Sequence, residues 1–408
     1  MSFKKTPIGE IPEDWEVVKS RKIISYIKGK KPKIIAKEPK DGWLPYLSTE
    51  YLRNNNPTQF VKITGNEITV EDGDILLLWD GSNAGEFFLA KKGVLSSTMV
   101  KIFLKKDVYD PLFLFYLLKH RELFLKGQTK GTGIPHVDKN VLNALLLPLP
   151  PLPEQKKIAE ILRTVDEAIE KTDEAIERTE KLKRGLMQRL LTKGIKHERF
   201  KRTELGEIPV EWRVVRLQDV SLIMDCEHRT PEYYDNGIPV VRPSNIKPSW
   251  LTDKDLEKAP KTTYKEYLSL TRRYRPQRGD IIFSRNAKVG IASYVMTEKP
   301  FALGQDLVGI RAVDVDPLFL FYFMNSFIIR NQIMRLLTGS TFKRIDLKKI
   351  RNLKIPLPPL SEQKQIAEIL STVDRKLELL RQRREKLERV KRGLMKDLLT
   401  GRRRVRVE

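Results

Sequence analysis

Cysteine is nearly missing from this chain of 408 residues. Cys226 stands alone, so no disulfide can close within the chain and no zinc site can be built on paired cysteines. Histidine is scarce too: His120, His136, His197 and His228 are scattered without metal-ligand spacing, and ordinary surface or core roles are expected for them. No apolar run approaches the roughly 20 residues of a membrane-spanning helix, and no charged segment leading into an apolar stretch opens the chain. A soluble protein of a reducing cytoplasm, away from membranes, is expected. Gly-rich turns of dinucleotide or P-loop form are missing after the strand signals, so nothing here should cradle S-adenosylmethionine or ATP. Two near-motifs fail on internal evidence. The DPLF strings at 110–113 and 316–319 carry leucine where a base-gripping motif needs a second proline. PEDWEVVK at 12–19 is matched by PVEWRVVR at 209–216, where Val210 and Arg213 replace Glu13 and Glu16. No catalytic residue and no metal site are expected.

What is present is charge and repetition. The 77 Lys and Arg against 53 Asp and Glu leave a formal +24, a field that attracts polyanions. PLPPLPEQKKIAEILRTVD at 148–166 returns as PLPPLSEQKQIAEILSTVD at 356–374 with 16 of 19 positions identical, GEIPEDWEVV at 9–18 returns as GEIPVEWRVV at 206–215, and DPLFLFY at 110–116 returns at 316–322. Two homologous halves therefore stand in tandem. The framework is shared, while 24–70 and 221–278 have little in common, so one scaffold presents two different surfaces.

Each half reads as a strand-rich domain, a Pro-rich stop and one long helix. Short apolar runs after turn residues, such as GDILLLW at 73–79 and GDIIFS at 279–284, signal strands. DPLFLFY predicts a short helix capped by Asp110 or Asp316 with proline at its first position. In the first long helix Ile158, Leu162, Val165, Ile169, Ile176, Leu186 and Leu190 form a stripe that Thr172 and Thr179 interrupt. In the second, Ile366, Leu370, Val373, Leu377, Leu380, Leu387, Leu394 and Leu398 keep the same rhythm, a coiled-coil seam with charged flanks. Residues 154–192 as helix span about 58 Å, whereas the connector 193–205 reaches at most about 43–47 Å. Antiparallel pairing follows. The expected fold is α+β: two strand-rich domains joined by two long helices in an antiparallel coiled coil, a pseudo-twofold dumbbell. The boundaries expected are 1–152, a central helix 153–192, a connector 193–204, a second domain 205–360, a C-terminal helix 361–400 and a basic tail 401–408.

Two unlike surfaces on a charged, spaced scaffold suit two separated patches of a duplex. Phosphate contacts are expected from Lys28, Lys30, Lys31 and Lys33 in KGKKPK and from Arg272, Arg273 and Arg275 in RRYRPQR. Base edges need Arg toward guanine and Asn or Gln toward adenine. The candidates are Arg53, Asn54 and Asn55 with Arg242, Ser244, Asn245 and Lys247; then Ser82 and Asn83 with Arg285, Asn286 and Lys288 just after the GDI strand; then Thr132 and His136 with Lys343 and Arg344. Each taken singly is as readily an ordinary surface polar group.

The GEIPxxW openings, the GIPVVRPSNI run at 237–246 with its looser partner GWLPYLSTEYL at 42–52, the GDI strands and the doubled PLPPLxEQKxIAEIL entry into a helix ending KRGLM resemble the specificity subunit of a type I restriction and modification system over nearly the whole chain. The resemblance implies two target recognition domains, each reading one part of a split, asymmetric DNA sequence, held apart by the helices. It also implies two modification subunits carrying S-adenosylmethionine and two motor and nuclease subunits using ATP and magnesium, with no cofactor on this chain. Repeats about a pseudo-twofold axis offer two equivalent docking faces, expected on the outer helix face with Glu154, Gln155, Lys156, Glu362, Gln363 and Lys364; structural capping competes for those six. A basic coiled-coil adaptor that binds nucleic acid without sequence preference, and an autonomous DNA enzyme of unusual type, stay open as alternatives.

Overall fold

The computed structural model describes residues 2–131, 133–286, 288–337 and 344–406. The chain folds into two compact units, Met1–Asp173 with Gln382–Glu408, and Glu174–Arg381.

In the first unit a hairpin, Phe3–Thr6 with Gly9–Pro12, precedes Glu16–Lys19, which pairs antiparallel with Leu146–Leu149 just before the long helix. A four-stranded sheet runs in the order Phe87–Leu89, Ile75–Leu78, Met99–Leu104, Ile24–Lys28. Beside it lies a five-stranded sheet that carries Leu44–Leu47 and Gly93–Leu95 as parallel neighbours. The second unit repeats the hairpin (Phe200–Thr203, Gly206–Pro209), the closing pair (Arg213–Arg216, Lys354–Leu357) and the antiparallel strands Ala292–Val295, Ile281–Ser284, Leu307–Ala312 and Ser221–Asp225 in the same order. It departs at the periphery. Trp250–Leu251 joins this sheet parallel to Ala292–Val295, and only three strands make the second sheet.

The short helices form as their capping residues dictate. Asp110 accepts from the Phe113 N–H and Asp316 from the Phe319 N–H, with proline at the first turn of each. Phe113 through Leu118 and Phe319 through Met324 are all buried, as expected of a helix that is apolar on every side.

The long helices, Leu152–Lys193 and Leu360–Leu398, run unbroken for 42 and 39 residues. Their ion pairs give the direction of packing within each unit. Asp166 meets Lys391 at 2.5 Å and Asp173 meets Arg384 at 2.5 Å in the first; Glu180 meets Arg381 at 2.7 Å and Lys183 meets Asp374 at 2.6 Å in the second. Partner numbers fall on one helix as they rise on the other, so the segments are antiparallel. Thr172 and Thr179 do not interrupt the seam after all. Both are buried, and each hydroxyl donates to the carbonyl four residues back, Ala168 and Ala175.

The entry of each long helix is locked to its domain by side chains that the sequence suggests are outward docking residues. Glu154 accepts the Trp15 indole N–H at 3.0 Å. The Gln155 carboxamide accepts the Asp110 N–H at 2.9 Å and donates to the carbonyls of Val108 and Pro150. Glu362 accepts from the Trp212 indole at 3.0 Å, from the Ile195 N–H at 2.9 Å and faces His197 at 2.9 Å; Gln363 accepts from the Asp316 N–H at 2.8 Å and donates to the Pro358 carbonyl. Glu154, Gln155, Glu362 and Gln363 are therefore internal ties: the first two and Gln363 are buried, Glu362 is largely covered, and polar groups so covered are bonded within the fold. Lys156 and Lys364 stay exposed.

The residues following each long helix dock back onto the same tryptophan. Gly194 and Gly401 both take positive φ, 64° and 72°, and a Cβ would strike Trp212 at 2.7 Å in one and Pro12 at 2.3 Å in the other. Three residues on, Arg404 is bonded to Asp14 and Glu154 and lies over the Trp15 ring. The basic tail is thus anchored at Gly401 and Arg404, while Arg402, Arg403 and Arg406 are exposed. Arg404 holds the Asp14 carboxyl below its ordinary range. Further along, Tyr116 donates to Asp166 at 2.8 Å and Tyr322 to Asp374 at 2.9 Å. Burial first, and then those carboxylates, push both phenols far upward, so each remains a donor.

Glu362→Ala leaves the Trp212 and Ile195 donors unpaired and should cost about 2–4 kcal/mol, since each buried orphan donor costs about 1–3 kcal/mol. Lys364→Ala, two residues on and facing solvent, should stay within about 0.5 kcal/mol. Urea unfolding followed by tryptophan fluorescence compares the two.

Candidate nucleic-acid interface

In the first unit three loops that are distant in sequence converge on the segment 79–86. The Lys28 ammonium bonds Asp80 at 2.7 Å. The Gly81 N–H donates to the Pro135 carbonyl, and the backbone of His136 bridges to Asp80 and Lys130. Arg53 pairs with Glu86 and lies over Phe88, which ties the end of the helix Thr49–Asn54 to the same segment. Lys28, Arg53, Ser82, Asn83 and His136 thus share one neighbourhood, with Ser82, Asn83 and His136 exposed. Arg53 and Asn54 lie in a helix rather than a loop, and Asn55 closes it in the left-handed region at φ 52°, which asparagine tolerates. Lys30, Lys31 and Lys33 project from the following segment and make no ion pair among the described residues. That segment is pinned at Gly29, where any Cβ would lie 2.1 Å from the Ser96 carbonyl oxygen. Thr132 lies outside the described residues.

The second unit gathers the corresponding loops around two aspartates. Asp225, at the end of its strand, bonds Arg285 at 2.7 Å and His228 at 2.9 Å. Asp306 accepts from the Asn286 amide at 3.2 Å and pairs with Arg344 at 3.2 Å, while its backbone carbonyl accepts the Arg285 N–H. The turn Arg242–Asn245 sits beside this cluster, because the Gly304 N–H donates to the Val241 carbonyl at 2.7 Å. Arg242 is exposed and lies 5.6 Å over the Tyr233 ring. Asn245 spends its carboxamide oxygen on the Arg242 N–H, closing its own turn. Ser244, Lys247 and Lys288 are exposed.

The RRYRPQR run joins the same side through Arg273, which pairs with Glu227 at 3.3 Å, while Arg275 lies over Tyr267 and Arg272 is exposed. Its tyrosine is structural. Tyr274 donates to Asp280 at 2.8 Å and fills the space that a Cβ on Gly309 would need. Lys343 lies outside the described residues.

Arg285 must be corrected. Only 6 % exposed, it is bonded to Asp225 and turned inward, so it supports the loops and has no free guanidinium to offer a base. The sequence reading also missed Arg229, held by Glu266 and Ser269, and Tyr233 beneath Arg242. The dense HRTPEYY run at 228–234 was the available signal. It missed one further grouping: Asp225, Cys226 and His228 bring potential metal-ligating atoms within 4.8 Å of one another. Arg285 on Asp225 puts a positive charge there, and burial first of all pushes the Cys226 thiol upward, so both features oppose a cation.

No helix among the described residues is long and apolar enough to cross a membrane. The family profile of the type I restriction modification DNA specificity domain matches twice, at residues 12–178 and 209–389. The type I restriction enzyme MjaVIII specificity subunit of Methanocaldococcus jannaschii is 43% identical over 99% of this chain and 96% of its own length. The EcoBI specificity subunit of Escherichia coli is 22% identical over 80% of this chain and 72% of its own. In fold, the chain resembles the crystal structure of the type I restriction-modification S subunit from M. genitalium, with a TM-score of 0.62 at 17% identity, covering 94% of this chain and 96% of that one. Matched in both of its repeats, the chain belongs to the type I restriction-modification DNA specificity family, as a non-catalytic specificity subunit.

Proposed function

We propose that each unit reads one half of a bipartite, asymmetric DNA site, and that the chain positions partner subunits that do the chemistry. The observation that carries this reading is the convergence of equivalent loops on one neighbourhood in each repeat, with different exposed side chains: Lys28, Ser82, Asn83 and His136 in one, Arg242, Ser244, Lys247, Lys288 and Arg344 in the other. The recognition domains are taken as 1–152 and 205–360, linked through 193–204, with the helix pair as the ruler between half-sites. Two modification subunits bring S-adenosylmethionine and methylate an adenine in each half after flipping it out. Two motor and nuclease subunits add ATP and magnesium. The setting is cytoplasmic.

With four of the six expected docking residues internal, docking falls to Lys156, Lys364 and the exposed apolar side chains beside them. Leu152 and Leu182 recur at the equivalent positions as Leu360 and Val390, the repetition that two copies of one partner require.

Single-molecule methylation sequencing of DNA from cells expressing the chain with an adenine methyltransferase subunit tests the reading. A split motif methylated in both halves is expected; an active, assembled pair that yields no such motif would return the sequence-blind adaptor. In the same assay Arg242→Ala should relax one half-site only, losing about 1–3 kcal/mol of discrimination at one base. Arg285→Ala should instead cost about 1.5–3 kcal/mol of stability, by removing a charge-assisted bond to Asp225, read as a lowered denaturation midpoint. Lys30→Ala with Lys31→Ala should weaken all DNA alike and reduce the slope of log affinity against log salt by about 0.9 per lost contact.

A further inference from the structure

Both units carry an open groove at the same place, beside the hairpin and over the short helix that follows the third loop. In the first unit the groove, about 370 Å³, is lined by Ile8, Phe124, Val141, Ala144 and Leu146, with Arg121 as its cation. In the second, about 590 Å³, it is lined by Arg335, Lys348, Lys349 and Lys354, with Glu204 and Asp346 as its acids. The helices beneath are the same framework. Asp138 and Asp346 cap them, and Val137, Leu142 and Leu145 on one match Ile345, Ile350 and Leu353 on the other, all buried. Around that framework Asn140, Val141, Asn143 and Leu146 become Lys348, Lys349, Arg351 and Lys354, while Lys139 becomes Leu347. Folding needs none of those four charges, since the first copy is capped and packed without a cation at those positions.

Only part of this positive charge is satisfied within the groove, where the Lys349 ammonium donates to the Leu336 carbonyl at 3.2 Å. Glu204 pairs with Lys354 at 3.4 Å, and Asp346 accepts the Lys349 N–H as a cap. Among the described residues no carboxylate pairs with Arg335, Lys348 or Lys349, and the neighbouring stretch 338–343 contains no acid. Like charges gathered on one rigid helix and its neighbour repel one another unless a polyanion lies across them. Two features identify that polyanion. The groove follows directly from Arg344 in the recognition cluster, so a duplex read there would continue toward it. Its basic character is also confined to one repeat, whereas a protein partner docking in two equivalent copies would meet equivalent surfaces.

We propose that the groove formed by Arg335, Lys348 and Lys349 binds the phosphate backbone of double-stranded DNA flanking the half-site read by the second unit, a contact without counterpart in the first. The proposal rests on the specificity reading above. It adds to the second unit's flank a non-specific contact that the equivalent groove of the first unit, lined mostly by apolar side chains, does not make.

The test uses the full chain assembled with its methyltransferase subunit and duplexes containing the methylated motif, with affinity measured from about 50 to 200 mM salt. The variant Arg335→Gln, Lys348→Gln, Lys349→Gln should lower the slope of log affinity against log salt by about 2–3, at about 0.9 per phosphate, and leave the motif unchanged. Trimming the duplex on the second unit's side should abolish the difference between variant and wild type, and trimming the other side should not. An unaltered slope overturns the proposal, as does loss of the methyltransferase subunit from the variant, which would make the occupant an acidic protein segment. Wild-type assembly without sequence preference overturns the specificity reading and this proposal together. A selective wild type with an unaltered variant overturns the groove alone.

Discussion

The bond on which the rest of the molecule depends is the one between a buried tryptophan and the first acid of a long helix, Trp15 with Glu154 and Trp212 with Glu362. A carboxylate removed from water is stable only when its oxygens are occupied. Here the indole takes part of that capacity, and the segment after a long helix takes the remainder: Arg404 in one unit, the Ile195 N–H and His197 in the other. One cluster therefore joins the start of a helix, the GEIPxxW hairpin and the residues that leave the partner helix. Gln155 and Gln363, one step along, tie the same helix starts to the caps of the buried short helices. Helix direction, domain and hairpin are set by the same few hydrogen bonds, which explains why these segments repeat almost unchanged while the loops do not.

The parts legible in the sequence were those whose cause is local. Asp110 and Asp316 cap helices because a short acid followed by proline can do little else, and the long helices with their antiparallel sense follow from a period and a length. What escaped was decided by residues far away. Glu154 in the sequence is an acid in a first helical turn, a position normally solvated; only Trp15, 139 residues earlier, makes it internal. Arg285 looked like a reader because it follows a strand in a loop, and Asp225, 60 residues before it, turns it inward. The order of strands in the sheets was not legible either, since strands of two to six residues carry no register of their own. Of the candidate site, the convergence of the matched loops could be anticipated from the repeat, but which side chain in each remains outward could not.

Charge is distributed with the same logic. Where a cation is needed by the fold it has a carboxylate within reach, as with Lys183, Lys391 and Arg404. Lys30, Lys31 and Lys33 on the first unit, and Lys348 and Arg335 on the second, have no carboxylate partner among the described residues. Surface ion pairs add little to stability, about 0–1 kcal/mol each, so an unpaired lysine costs the fold little. It leaves an external field that attracts phosphate from a distance and is screened by salt. The +24 of the chain thus separates into a bound fraction that holds helices in register and an exposed fraction available to DNA.

The repeats also differ in how their locks are closed, and the chain's connectivity is the reason. The second unit is one continuous stretch, Glu174–Arg381, so its Glu362 meets residues already made. The first unit needs Gln382–Glu408 as well, and Glu154 meets Arg404 only across 250 residues. Contacts so distant in sequence are slow to form, because loop-closure entropy is lost before they return any stabilisation. The first lock is closed by a guanidinium that binds Asp14 and Glu154 together and covers Trp15, the second by the Ile195 N–H and the His197 imidazole from the segment directly after its helix.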